Sequence, residues 1–261
     1  MMRLFPSLAA SAAPAVGPLP ADPLGSPMWT YHAGKLFAGA PVVFDPAVRV
    51  DLPMLAENQH VLPVTIDARA LSAVRRMVLF ADLNPIPIAV EYEPLAAHAY
   101  LATRIKLDQR TPVRGAVLTA DGVWHVAGGW VDAAGGGCSA PPVSRVRGDW
   151  ADHLGELRGA AWPQGDATRV RIAIRHPMDT GLVENIPAYN IEEVTFAAED
   201  GTPLARMTVH GSVSEDPVFT VLLSPAGRGP VAVNARDTGG VVVTGAVAPR
   251  SGAALAAAVR R

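Results

Sequence analysis

A single cysteine in 261 residues excludes an internal disulfide framework. That thiol is left with packing, reaction, or a bond to a second molecule. Charge is sparse too: 18% of the residues are charged and the formal net charge is −2. Such a balance supplies neither a basic field for nucleic acid nor an acidic tail. No run outside the N-terminus approaches the ~20 apolar residues needed to cross a bilayer, so a soluble chain without membrane contact is expected. Walker-type loops, Gly-x-Ser-x-Gly, His-Glu-x-x-His and Cys-x-x-Cys are all missing. The seven histidines (His32, His60, His98, His125, His153, His176, His210) stand singly, which leaves zinc and copper without a local signature. His176-Pro177-Met178 brings imidazole and thioether together, as copper could use, and a turn explains it equally well. Neither metal nor cofactor is expected.

The chain has instead 49% apolar residues, 24 glycines and 24 prolines, with only 6% aromatics. Short runs rich in Val and Ile alternate with Pro, Gly, Asn and Asp, the pattern of strands and turns. The first body, residues 29–134, reads as seven strands near Val48–Leu52, Val61–Ile66, Val74–Phe80, Ile86–Tyr92, Tyr100–Leu107, Val113–Thr119 and Val123–Val131. Asn84-Pro85 and Asp121-Gly122 are turn signals between strands. In Tyr100–Leu107 the alternation sets Thr103, Ile105 and Leu107 on one face, with Arg104 and Lys106 on the water side. The second body, residues 168–250, opens on Arg169–Arg175, where Val170, Ile172 and Ile174 face a core. Strands follow at Ile191–Ala198, Leu204–Val209, Val218–Leu223, Val231–Asn234 and Val241–Val247, with Asp200-Gly201 as a hairpin turn. The spacing predicts an all-β chain of two β-sandwich domains. Between them lies a Gly-rich cysteine loop and linker, residues 135–167. Trp150, Leu154 and Leu157 there fall at helical spacing and predict a short amphipathic helix.

Residues 1–28 read either as an export signal or as an unstructured tail. Met1-Met2-Arg3 is a short positive start, Leu4–Val16 is mostly apolar, and Ala10-Ser11-Ala12 before Ala13 would serve as a cleavage site. The alanine-rich tail, 251–261, reads as a frayed helix or as disorder.

The cysteine stands in Gly135-Gly136-Gly137-Cys138-Ser139-Ala140-Pro141-Pro142. Three glycines have no side chain to pack and lose much backbone entropy on ordering, and Pro-Pro blocks a helix. Cys138 is therefore expected on a mobile, exposed loop, with Gly135, Gly136, Gly137 and Ser139 as its flexible arm. No Lys, Arg or His precedes it within several residues, and Arg145 is the nearest cation after it. A self-sufficient nucleophile needs a fixed base and oxyanion donors. The thiol thus reads as a handle that other proteins act upon, with no catalytic residue in the chain.

Several motifs together resemble a known family pair. Cys138 in its glycine-rich loop resembles the substrate-carrying cysteine of the sulfur carrier SoxY, whose terminal arm reads Gly-Gly-Cys-Gly-Gly. Ala56-Glu57-Asn58-Gln59-His60-Val61-Leu62-Pro63-Val64, Phe80-Ala81-Asp82-Leu83-Asn84-Pro85-Ile86-Pro87 and Thr103-Arg104-Ile105 are similar to further SoxY motifs. In the second body, His176-Pro177-Met178-Asp179-Thr180-Gly181 and Ile186-Pro187-Ala188 resemble SoxZ. The joined form looks like the fused SoxYZ-like carriers associated with quinoprotein dehydrogenases. That resemblance implies two immunoglobulin-like β-sandwiches, export to the periplasm, and a sulfur species bound covalently to Cys138. It also implies partners that do the chemistry, either periplasmic sulfur-oxidation enzymes or a quinoprotein dehydrogenase with a c-type cytochrome. The alternatives are a non-covalent accessory protein and a cysteine-dependent enzyme, and a disulfide-linked homodimer through Cys138 stays open. The sequence departs from the pattern where Cys138 is followed by Ser139-Ala140-Pro141-Pro142 and a second body, which makes the arm a loop tethered at both ends. Gln59 also stands where the family has glycine.

Overall fold

The computed structural model describes residues 18–224 and 229–249. The proposed signal segment up to residue 17 and the tail from 250 lie outside the described residues. Among the described residues fifteen strands and two short helices follow one another as α1 (Trp29–Phe37), β1 (Val42–Phe44), β2 (Arg49–Asp51), β3 (Leu62–Asp67), β4 (Val74–Ala81), β5 (Ile88–Glu93), β6 (Ala97–Ile105), β7 (Thr111–Thr119), β8 (Trp124–Val131), α2 (Val143–Arg147), β9 (Leu157–Gln164), β10 (Ala167–Ile174), β11 (Ile191–Ala198), β12 (Pro203–Val209), β13 (Val218–Leu223), β14 (Val231–Asp237) and β15 (Val242–Val247). The chain is all-β, as the alternation and turn signals imply.

The strands form two layers. One sheet runs β1-β8-β7-β4-β5-β12-β11-β14-β15 and the other β2-β3-β6-β13-β10-β9. Each layer therefore crosses from the first half of the chain into the second. Met207 pairs with Tyr92 where β12 meets β5, and Thr220 pairs with Ala102 where β13 meets β6. One apolar cluster continues through both halves, from Leu62, Ile66, Leu79 and Leu101 to Ile172, Phe196, Met207 and Phe219. The two sandwiches stand edge to edge and share both sheets, which corrects the picture of bodies connected by a linker alone. Edge strands expose unpaired N–H and C=O groups, and joining the halves satisfies four such edges at once.

The expected core faces are in place. Val170, Ile172 and Ile174 are fully buried, and so are Leu101 and Ile105 on β6. Strands β4 and β7 are buried on both faces because α1 covers the outer one. Trp29 and Phe37 pack there against Val78, Phe80, Ala116 and Trp124. Residue periodicity predicts no helix in this stretch, since nine residues are too few to display a sustained helical period.

Other expectations need correction. Residues 18–28 are not a loose leader: both Asp22 carboxylate oxygens accept from Arg114 at 2.9 and 2.7 Å, and Leu24 accepts from the Trp130 indole at 2.8 Å. The linker contains a full strand, β9, paired along its length with β10. Its sequence, Leu157-Arg158-Gly159-Ala160-Ala161-Trp162-Pro163-Gln164, lacks the β-branched residues that signal a strand. Small residues are required instead, because a Cβ on Gly159 would lie 2.3 Å from Val247 of β15, where the sheets close on each other. The helix expected around Trp150–Leu157 is absent. That segment is turns leading into β9, and the short helix in the region is α2, which ends three residues before Trp150.

Candidate functional site

Cys138 is buried, with 1% of its surface accessible. The exposed, mobile thiol expected from composition is corrected on this point. What buries it is a docked loop. Gly137 donates its N–H to the Leu107 carbonyl at 3.0 Å, and Leu107 donates to the Gln59 carbonyl at 2.8 Å. Any side chain at Gly137 would collide with this backbone, because its Cβ would sit 2.3 Å from the Leu107 oxygen and 2.4 Å from that of Gln59. Gly135 and Gly136 turn the chain at φ of +100° and +84°, a region that side chains disfavour. The glycines expected to provide freedom provide close approach as well.

One carboxylate holds the tip of the loop. Asp108 Oδ1 accepts from the Cys138 N–H at 3.1 Å, the Ser139 N–H at 3.2 Å and the Ser139 hydroxyl at 2.9 Å. Asn84 positions that carboxylate's backbone. Its amide accepts from the Asp108 N–H at 3.0 Å and donates to the Lys106 carbonyl at 2.7 Å. The Cys138 sulfur lies 3.9 Å from the same Lys106 carbonyl. From the other half, the Thr180 hydroxyl donates to the Cys138 carbonyl at 2.6 Å. The loop therefore sits in the seam where the two halves meet.

Behind the loop the chain is pinned to the second half. Glu215 accepts from the Val143 and Ser144 N–H groups at 2.6 and 2.7 Å, satisfying donors that a helix start leaves free. Arg145 pairs with the buried Asp179 and stacks over Trp150 at 3.8 Å. His176-Pro177-Met178 forms a turn: the imidazole Nδ1 accepts from the Met178 N–H at 3.1 Å, and the Met178 sulfur accepts from the Ile191 N–H at 3.4 Å. Among the described residues no group of three or more His, Cys, Asp or Glu could hold a metal ion.

Lys106, which strand alternation places on the water face, is buried at 4% exposure. It is one of only two lysines in the chain. Its ammonium donates to the carbonyls of Met178 and, at 3.0 Å, Gly211. Where β6 ends, the joining of the halves turns an outer position into an inner one. Burial lowers its pKa to about 8, partly opposed by attraction to Cys138, Asp179 and Glu215. Burial likewise pushes the Cys138 thiol up to about 12, with Lys106 drawing it down and Asp108 pushing it further up. The docked sulfur is a neutral thiol. Among the described residues no imidazole or carboxylate hydrogen-bonds it, so no general base serves it in this arrangement.

Residues 33–138 match the family model described as sulfur oxidation protein SoxY, and residues 158–248 match that of sulphur oxidation protein SoxZ. The chain is a SoxY–SoxZ fusion. The SoxY match ends on Cys138 itself, and the SoxZ match begins within β9. A solved structure of the sulfur carrier protein SoxY from Chlorobium limicola f thiosulfatophilum is similar, with 18% identity and a TM-score of 0.37 over 41% of this chain and 96% of that one. No curated protein matches. The SoxY–SoxZ boundary and the docking seam coincide at the cysteine. Of the residues that hold the loop, Gln59, Asn84 and Thr180 lie inside motifs that carried the resemblance, without a role assigned to them. Lys106, Asp108 and Glu215 lie outside those motifs and carried no signal.

Proposed function

We propose that this fusion is a periplasmic carrier that takes up a sulfur species as a covalent adduct on Cys138 and presents it to partner enzymes. The observation that carries the reading is the latch. The one thiol of the chain is held in a glycine-hinged loop by hydrogen bonds to Asp108 and from Thr180, and is not built into a strand of the core. Membership in families described as sulfur oxidation proteins supports it. In the docked state the thiol is shielded and protonated, so charging and transfer belong to an undocked state. Undocking breaks a handful of hydrogen bonds, each worth about 1 kcal/mol net. The chain supplies the handle and partners supply the catalysis.

Anchoring on both sides limits the reach. Between Ala134 and Pro141 three residues precede Cys138 and two follow it, so the shorter arm lets the sulfur project about 10 Å. A partner must bring its active site that close to the seam. Exposed apolar residues suit such docking: Val143 and Val146 on α2, Leu182 beside Thr180, and Met54 and Leu55 ahead of Gln59. We take the partners to be sulfur-oxidation enzymes, or a quinoprotein dehydrogenase with its c-type cytochrome. A disulfide between two copies would likewise require undocking. Cleavage after Ala12 would remove none of the described residues, in keeping with export.

Intact mass of protein isolated from the native periplasm tests the proposal. A Cys138 adduct that reductant removes, together with loss of function in Cys138→Ser, is the expected outcome. A thiol that is always free, with Cys138→Ser fully active, would overturn it. The inert state of the docked thiol favours a second reading, a non-covalent accessory protein for the dehydrogenase or cytochrome. That reading requires partner capture unchanged by Cys138→Ala.

A further inference from the structure

The outer face of the six-stranded sheet holds a hollow of about 170 Å³, away from the Cys138 latch and sharing no residue with it. Pairing register places Thr65, Ala102, Thr220 and Arg171 in one row across β3, β6, β13 and β10. Arg104 lies two residues beyond Ala102, and Arg169 two before Arg171, so all three arginines project from this face. Small side chains in the middle of the row make the depression, and long cationic ones rim it. Both halves of the fusion contribute.

These arginines lack what most of the others have. Arg69 pairs with Asp67, Arg76 with Glu91, Arg110 with Asp132, Arg145 with Asp179, Arg175 with Asp216 and Arg236 with Glu192. Among the described residues no ion pair includes Arg104, Arg169 or Arg171. The segments outside the description contain no Asp or Glu at all. The nearby Asp216 already binds Arg175 and, at 3.0 Å, the His176 N–H, and it offers Arg104 only a backbone carbonyl at 3.2 Å. The Nε groups of Arg104 and Arg169 are buried without a partner, and Thr220 is 3% exposed. Burial first, and then repulsion from the neighbouring Arg171, disfavours the charge on Arg104. An anion would reverse that repulsion and satisfy the stranded donors.

We propose that this hollow binds a small tetrahedral oxoanion of the sulfate, thiosulfate or phosphate type, held by Arg104, Arg169 and Arg171 over a floor of Thr65 and Thr220. Guanidinium forks match such oxygens. Three of them, on strands of both halves, enclose an ion from several sides, whereas a planar carboxylate is served by one. The site is independent of any adduct on Cys138 and survives if the carrier reading fails.

The test is titration of the full chain with sodium sulfate, thiosulfate, phosphate and acetate at constant ionic strength set by chloride, followed by amide NMR shifts and calorimetry. Saturable shifts at Thr65, Ala102 and Thr220 are expected, with Arg169→Ala and Arg171→Ala each weakening binding by about tenfold. Both side chains lie at the surface or its edge, so the fold survives their loss, and Cys138→Ser should bind the anion as the unaltered chain does. Equal shifts with chloride alone, undiminished binding in both arginine variants, or an equal loss in Arg236→Ala on the opposite sheet would overturn the site. Preference for acetate over the tetrahedral ions would overturn the ligand class and point to a partner's carboxylate.

Discussion

Arg114 and Lys106 are buried cations eight positions apart in the chain, and they are treated in opposite ways. Arg114 has essentially no exposure and is gripped by two carboxylates, Asp82 at 2.9 Å and Asp22 at 2.7 Å, with Trp29 over its face at 4.8 Å. Lys106 has only carbonyl oxygens as hydrogen-bond acceptors. The first arrangement ties the N-terminal segment to the sheet and leaves no acceptable state with one partner missing. The second places a charge with a weakened hold on its proton behind the Cys138 loop. One is a fastening, and the other lies behind the loop that we propose undocks.

Replacement separates the two most strongly. Arg114→Leu strands two buried carboxylates and should cost about 3–5 kcal/mol in chemical denaturation. Lys106→Met removes a buried charge that no carboxylate hydrogen-bonds, and should cost no more than about 2 kcal/mol. Equal losses would erase the distinction.

Titration sharpens the contrast next. Lys106 loses its proton in the folded chain at about pH 8, below its usual 10.5, so between those values the unfolded chain binds more protons and stability rises with pH. Cys138 keeps its proton to about 12 against the usual 9, so from pH 9 upward its contribution falls. Between about pH 9 and 10.5 the two slopes oppose and stability should be nearly level. Cys138→Ser should uncover the rise and Lys106→Met the fall, each amounting to on the order of 2 kcal/mol across that interval. Parallel curves for both variants would contradict the assigned pKa directions.

Smaller effects concern the latch. Asp108→Ala removes three hydrogen bonds from the loop tip and should speed alkylation of Cys138 at pH 8 by about tenfold with a modest change in Tm. Thr180→Val removes one and should speed it about threefold. Arg114→Leu, by contrast, should leave native-state alkylation unchanged where the protein remains folded. Rates that ignore Asp108 and Thr180 would mean the loop is held by packing alone.

Strands with strong alternation were legible from sequence, and so were their turns. Val170, Ile172 and Ile174 face the core because a two-residue period is a local property of the chain. Strand β9 was not legible, since its Gly159 and Ala161 answer to the closeness of β15. The site was half legible. Cys138 and its glycines stood out by composition, and Asn84 and Thr180 lay within recognised motifs. Lys106 followed the period of its strand and misled, because that period reports which face a side chain takes and not what comes to cover it.

By itself, then, the sequence determined an all-β chain in two family-like halves with one thiol at their boundary. Tertiary structure alone decided that the halves share their sheets and that the thiol is stored. The partners that bury it stand 30 residues back at Asp108 and 42 residues on at Thr180, a separation that no local pattern encodes. They meet at Cys138 because the edges of both sheets needed partners, and pairing them closed the seam around the loop.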